Sequence, residues 1–358
     1  MNNKYKVIGL MSGTSLDGLD IAFCHFEFKN KRWRYSIKAA ETFKYTAEWK
    51  NKLAKAHFLS GEKLIELHAA YGKFIGEQCN KFIAKKKTGK PDLIASHGHT
   101  IFHQPEKKFT FQLGDGNAIH AATNLPVAFD FRGLDIALGG EGAPLVPIGD
   151  QLLFSDYDIC LNLGGIANLS MQAKGKRIAF DVCFCNMALN YLVNQVGKDF
   201  DDGGKLASGG ALNQSLLTRF EKVYTLNRKN KPSLAREGFE KGFQPLLDND
   251  LASIADKLRT VIESIVIEIS QAIPKSKKKV KMLATGGGAL NDFLIQRMKE
   301  KLDNRIQVVV PDKTTIDFKE ALVFAFLGVL RLRGQKNTLK SVTGASSDSS
   351  SGILLGSI

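Results

Sequence analysis

Between positions 12 and 20 the chain gathers Ser12, Gly13, Thr14, Ser15, Asp17, Gly18 and Asp20. Hydroxyl groups can donate to phosphate oxygens. Glycines admit turn geometries and let a ligand approach the backbone. Carboxylates hold Mg²⁺ directly or through water, here Asp17 with Asp20. One apolar run, Val7 to Met11, leads in, and a second, Leu19 to Phe28, leads out. The stretch therefore reads as strand, phosphate-facing turn, strand. A plain polar hairpin accounts for the local composition equally well. It is not a Walker A loop, which needs Gly-Lys-Ser/Thr, nor a dinucleotide fingerprint, because a strand follows it.

The pattern recurs at Asp158 to Leu163, Gly164-Gly165 and Ile166 to Met171, with Asn162 and Asn168 beside the turn. A later strand, Val280 to Ala284, closes on Thr285-Gly286-Gly287-Gly288, suited to close approach of a base or ribose. Two halves that each begin with a glycine hairpin imply two phosphate loops facing each other. Further polar residues follow short apolar strands, where α/β folds place chemistry. Ser96-His97-Gly98-His99-Thr100 follows Leu93 to Ala95; Arg132 and Asp135 follow Val127 to Phe131; Asp181 follows Arg177 to Phe180. Glu320 opens the apolar helix Lys319 to Leu332. Each has a bland account: a helix cap for Asp181, a dipole partner for Glu320, an ion pair with Asp130 or Asp135 for Arg132. His97, His99 and His103 crowd together without the carboxylate or cysteine spacing of a zinc site.

These residues need a frame. Strands are expected at Lys6 to Met11, Leu19 to Phe28 and Trp33 to Phe43, then a helix at Gly61 to Phe82 with Leu64, Leu67, His68, Tyr71, Phe74, Ile75 and Cys79 along one stripe. In the second half the longest amphipathic helix is expected over Asp248 to Ile273. The serine-rich tail, Thr338 to Ile358, can return as a strand at its apolar end. A chain of 358 residues has room for two domains. The expected division is 1–135 plus 338–358 against 136–337, with the break at Gly139 to Pro144. Fifty basic against thirty-six acidic residues give a net charge of +14, which suits an anionic small substrate. Its lysines are dispersed, and no RNA-binding aromatic motif accompanies them, so nucleic acid is not the expected partner. Five cysteines in apolar settings argue against a disulfide framework. With no apolar run long enough for a membrane span and no leader-like start, a cytoplasmic protein is expected.

The motifs taken together resemble the anhydro-N-acetylmuramic acid kinases. The likeness runs through Gly9 to Asp20, Ser96 to Thr100, Gln112 to Gly116, Asp130 to Asp135, Gly139 to Pro147, Asn162 to Asn168, Thr285 to Ala289 and Glu320-Ala321. It implies a two-domain α/β, actin-like ATPase fold, a duplicated ribonuclease H-like unit with a central ATP and substrate cleft. It also implies ATP with Mg²⁺ and an amino sugar bearing a lactyl carboxylate. The implied reaction is hydrolytic opening of 1,6-anhydro-N-acetylmuramic acid with phosphorylation of O6. On this likeness Asp181 activates water and Glu320 orients the sugar. His97, Thr100, Arg132 and Asp135 bind substrate. Ser12 to Gly18, Asn162, Gly164, Gly165, Asn168 and Gly286 to Gly288 bind the nucleotide. A homodimer is expected, with the helix Asp248 to Ile273 or the last apolar helix as its face. Another actin-like sugar or carboxylate kinase, or a non-catalytic sugar-binding relative, would share the same loops.

The chain departs from that family in two stretches and at two single positions, Glu141 and His99, each standing where the family commonly has glutamine. After Asp181 the family usually has a glycine and a proline, whereas Val182-Cys183-Phe184-Cys185-Asn186 stands here. Phe184 either refills the proline's apolar site or narrows the pocket. Further on, Pro232 stands where the family has a lysine, with Lys231 one residue off.

Overall fold

The structure is a computed structural model that describes residues 3–13, 15–228, 233–275 and 278–356. Its contacts form two units, Met1–Phe154 with Phe318–Ile358, and Ser155–Asp317.

In the first unit, β1 (Lys4–Ser12), β2 (Gly18–Lys29) and β3 (Arg32–Lys44) form an antiparallel meander. Through the middle of β1 and β2 the apolar residues run together without alternating, and both faces are buried there. β4 (Leu93–Gln104) and β6 (Val127–Phe129) add in parallel beside β1, and β5 (Phe109–Leu113) pairs with β4. The C-terminal strand Ile353–Leu355 closes the edge against β6. The helix Gly61–Lys86, capped by Ser60, lays Tyr71, Ile75, Cys79 and Phe82 on Ile8, Leu10, Ile21 and Phe23. The helix Lys313–Leu332 packs its latter part into the same unit, with Phe326 against Phe26 and Trp33 at ring distances of 5.4 and 5.1 Å. Gly9 makes that approach possible, since a methyl there would overlap the Ala321 carbonyl.

The second unit repeats the scheme. β7 (Ile159–Leu163), β8 (Ile166–Ala173) and β9 (Lys176–Phe184) form the meander, and β10 (Val280–Thr285) and β11 (Ile306–Val309) follow in parallel. The order β9-β8-β7-β10-β11 matches β3-β2-β1-β4-β6 of the first unit. This is the duplicated α/β architecture of the actin-like fold. The helix Ile254–Ala272, capped by Ser253, supplies Leu258, Val261, Ile262, Ile265 and Ile269 to the core.

Four expectations change. The division falls at 154/155 and 317/318, not 135/136 and 337/338, because the last long helix belongs to the first sheet. That helix begins at Lys313 and leaves helical geometry at Phe318 (φ −116°, ψ 15°). The amphipathic helix expected from Asp248 begins at Ile254, because Ser253 caps it. Both helices expected to supply a dimer face spend their apolar residues inside their own units. No helix among the described residues is long and apolar enough to cross a membrane.

Candidate active site

The first hairpin divides its residues between structure and solvent. Gly13, Ser15 and Asp17 lie in the turn, with Ser15 and Asp17 exposed; Thr14 lies outside the described residues. Ser12, expected to bind phosphate, is buried. Its hydroxyl meets His99 Nδ1 at 2.9 Å and the Tyr45 hydroxyl at 2.7 Å, and Tyr45 meets Tyr71 at 2.5 Å. That chain ties the end of β1 to the helix behind it. Gly18 is likewise a packing residue, since a Cβ there would lie 2.6 Å from the Phe43 carbonyl oxygen. Met11, Asp20 and Thr42 stand side by side across β1, β2 and β3, and the Thr42 hydroxyl donates to Asp20 Oδ1 at 2.5 Å.

A second group forms around Arg132. β4 does not end at Ala95 as expected; it runs to Gln104, so His97, His99 and Thr100 are strand residues. Gly98, at φ +76°, makes the irregularity that turns its neighbours. His97 Nδ1 faces the Gly98 carbonyl at 2.9 Å, so it carries the proton and Nε2 accepts. Arg132 donates to that Nε2 from Nε at 3.0 Å and from one terminal nitrogen at 2.9 Å, and from the other to the Gly142 carbonyl at 2.6 Å. Burial, reinforced by Arg132, holds His97 well below its usual range, so it is neutral. Burial also lowers Arg132 to about 10, opposed by Glu320 and Asp135. A guanidinium has five N–H groups. Three bonds here leave one on each terminal nitrogen, the pair that grips a carboxylate.

Glu320 faces the same guanidinium. Its carboxyl is raised by desolvation and by Asp20, against Arg132 and Lys319. Glu320 nonetheless reaches solvent. Its neighbour Lys319 is not available, being paired with buried Asp150 at 2.8 Å. Asp135 differs from the expectation most. It is completely buried, with Oδ2 accepting from the Gly142 amide and Oδ1 from the Thr343 hydroxyl, both at 2.8 Å, so it supports the site without reaching substrate. Thr100 is partly buried, beside Gln112 in the β4–β5 ladder.

In the second unit, Asn162, Asn168 and Asp181 stand side by side across β7, β8 and β9. This row matches Met11, Asp20 and Thr42 in the first. Asp181 does not follow its strand, as the sequence implied, but lies within β9, which continues to Phe184. Its Oδ2 accepts from the Leu234 amide at 2.8 Å and the Ser233 hydroxyl at 3.4 Å. Desolvation raises its carboxyl in spite of those two donors. The turn Gly164-Gly165 receives amide hydrogens from Cys185, Asn186 and Met187, which seats the helix Asn186–Asn194 beneath it. Asn186 then donates to the Leu163 carbonyl at 2.9 Å and borders Gly287 and Gly288. A Cβ on Gly286 would lie 2.5 Å from Asn162 Oδ1, so two glycine motifs far apart in sequence meet at β7. Asn186 was absent from the expected site; its place at the end of the Asp181 motif was the signal.

The first departure settles as core packing. Cys183, Phe184 and Cys185 are all buried, and Phe184 packs on Phe239 and Phe243 at 5.4 and 5.5 Å. Phe184 thus refills an apolar site. Lys231 and Pro232, the second departure, lie outside the described residues. The crowded histidines spend their nitrogens separately, and no three metal-holding side chains converge among the described residues. All five cysteines are buried, and none is in a disulfide.

The family model described as anhydro-N-acetylmuramic acid kinase matches residues 5–357. The chain belongs to the anhydro-N-acetylmuramic acid kinase family. It is 32% identical over 375 residues to the anhydro-N-acetylmuramic acid kinase of Mannheimia succiniciproducens, covering 98% of this chain and 99% of that one. Against the same kinase of Vibrio vulnificus strain CMCP6 the identity is 31% over 371 residues, with 99% of each chain covered. A more distant likeness is to component A of the Acidaminococcus fermentans (R)-2-hydroxyglutaryl-CoA dehydratase. That structure shares 11% identity at a TM-score of 0.45, covering 90% of this chain and 96% of that one. Membership in the anhydro-N-acetylmuramic acid kinase family rests on the sequence match along nearly the whole chain.

Proposed function

We propose that this chain uses ATP to open 1,6-anhydro-N-acetylmuramic acid by hydrolysis and to phosphorylate O6, giving N-acetylmuramic acid 6-phosphate. The observation that carries the reading is Asp181. Its carboxylate is partly dehydrated, half-buried and in line with Asn162 and Asn168, within a chain of this family. Asp181 takes a proton from water as the water attacks C1. The C1–O6 bond breaks, and O6 takes the γ-phosphoryl group while ADP leaves. Raised basicity suits a carboxylate for that proton transfer. Arg132, with two N–H groups remaining, takes the lactyl carboxylate, and Glu320 and His97 border the sugar. Gly13, Ser15, Gly164, Gly165 and Gly287 offer backbone or hydroxyl donors to the nucleotide.

Asp20 lies close enough to raise Glu320. Carboxylates here fit Mg²⁺, which keeps several waters and takes phosphate oxygens with one or two carboxylates. Asp20, with exposed Asp17 nearer the turn, would hold Mg²⁺ directly or through water, and the ion would neutralise charge on the phosphates.

Asp181→Asn tests the assignment. The variant should lose at least about a hundredfold in kcat while binding ATP and the sugar as the parent does. Turnover near the parent's rate would remove Asp181 from the mechanism.

A further inference from the structure

The loop that receives Arg132 is held from the far end of the chain. Thr343 ends the short helix Lys340–Thr343 and is buried. Its hydroxyl lies 2.8 Å from Asp135 Oδ1 and 3.3 Å from the Leu339 carbonyl. A hydroxyl has one hydrogen, and the nearer, charged acceptor takes it. The Thr343 carbonyl accepts from the Glu141 amide at 2.8 Å, and the Ser346 amide donates to the Leu138 carbonyl at 3.0 Å. The tail therefore grips the 138–142 loop at its backbone and, through Asp135, at Gly142.

We propose that Thr343 is a positioning residue for recognition of the substrate's anionic group. It holds Asp135, Asp135 holds the Gly142 amide, and the Gly142 carbonyl fixes one terminal nitrogen of Arg132. His97 fixes the other side of the guanidinium. With Gly142 loosened, only the His97 contact remains, and the guanidinium is free to swing about it. The inference rests on the function proposed above, because it takes Arg132 to meet the lactyl carboxylate. The phosphate hairpin has its own anchor in the Ser12, Tyr45 and Tyr71 chain, so the nucleotide side is independent of the tail.

Thr343→Val removes the hydroxyl and keeps the shape. The expected result is a KM for the anhydro sugar raised about five- to tenfold, a part of the strength of one charge-assisted hydrogen bond, with KM for ATP unchanged. Thr343→Ser should restore the sugar KM. A 1,6-anhydro-N-acetylglucosamine substrate, which lacks the carboxylate, should be used equally by Thr343→Val and the parent. Leu53→Ala, a core truncation elsewhere in the first unit, controls for general loss of stability. A sugar KM unchanged in Thr343→Val, a parallel rise for ATP, no rescue by serine, or the same rise in Leu53→Ala would overturn the inference alone. A parent that does not turn over the anhydro sugar would overturn the proposed function, and this inference with it.

Discussion

Asp181 is raised by desolvation, and that shift has a direction that kinetics can read. A base must lose its proton before it acts. The rate should therefore fall as pH falls through the Asp181 pKa, with the acid limb of kcat/KM lying above the ordinary aspartate value of about 3.9. Glu320 is raised as well and titrates in the same sense. Glu320→Gln should remove its part of the limb and leave the part set by Asp181. An acid limb at or below the ordinary value would contradict the environment described for Asp181. The stability linkage has the opposite sign to that of a salt-bridged carboxylate. Ionising Asp181 costs the folded state, and protonation relieves that cost as pH falls. Arg132 is the complementary residue. Neutral His97 and the Gly142 carbonyl hold it by acceptors alone, so neither neutralises the charge offered to a ligand.

At the scale of elements, the close docking of the last long helix on β1 is the feature most open to test. Gly9→Ala forces a methyl into the Ala321 carbonyl and the Ala325 side chain, and neither backbone can give way without lifting the helix. A loss of about 3 kcal/mol is expected in urea unfolding, whereas Gly61→Ala, with open space around it, should stay within about 0.5 kcal/mol. Equal stability of the two variants would contradict the docking. The β-branched and aromatic runs and the turns between them made β1, β2 and β3 legible in the sequence nearly to their ends. β4 and β9 were legible only in their apolar parts, since His97, His99 and Asp181 break the pattern, although His99 and Asp181 still pair in the ladder. The hydroxyl and glycine content of the first turn was plain, but not which members face inward. Ser12 and Gly18 are spent on packing because partners distant in sequence, Tyr45, His99 and Phe43, converge on them. Asp135 misleads for the same reason, because its two partners are Gly142 and Thr343.

At the scale of the molecule, one strand order occurs twice, and each copy carries a glycine hairpin with a polar row beside it. The copies have diverged in kind. The first places Asp20, Glu320 and Arg132 together; the second places Asp181 beside Asn168 and brings Gly286 to Gly288 against β7. The most direct test is to supply Mg²⁺-ATP and 1,6-anhydro-N-acetylmuramic acid in ¹⁸O-water and follow the label by mass spectrometry. ADP and N-acetylmuramic acid 6-phosphate should form together, with one ¹⁸O at C1 and none in the phosphate. Product without ¹⁸O at C1, or ADP released with ¹⁸O in free phosphate and no sugar phosphate, would contradict the coupled reaction.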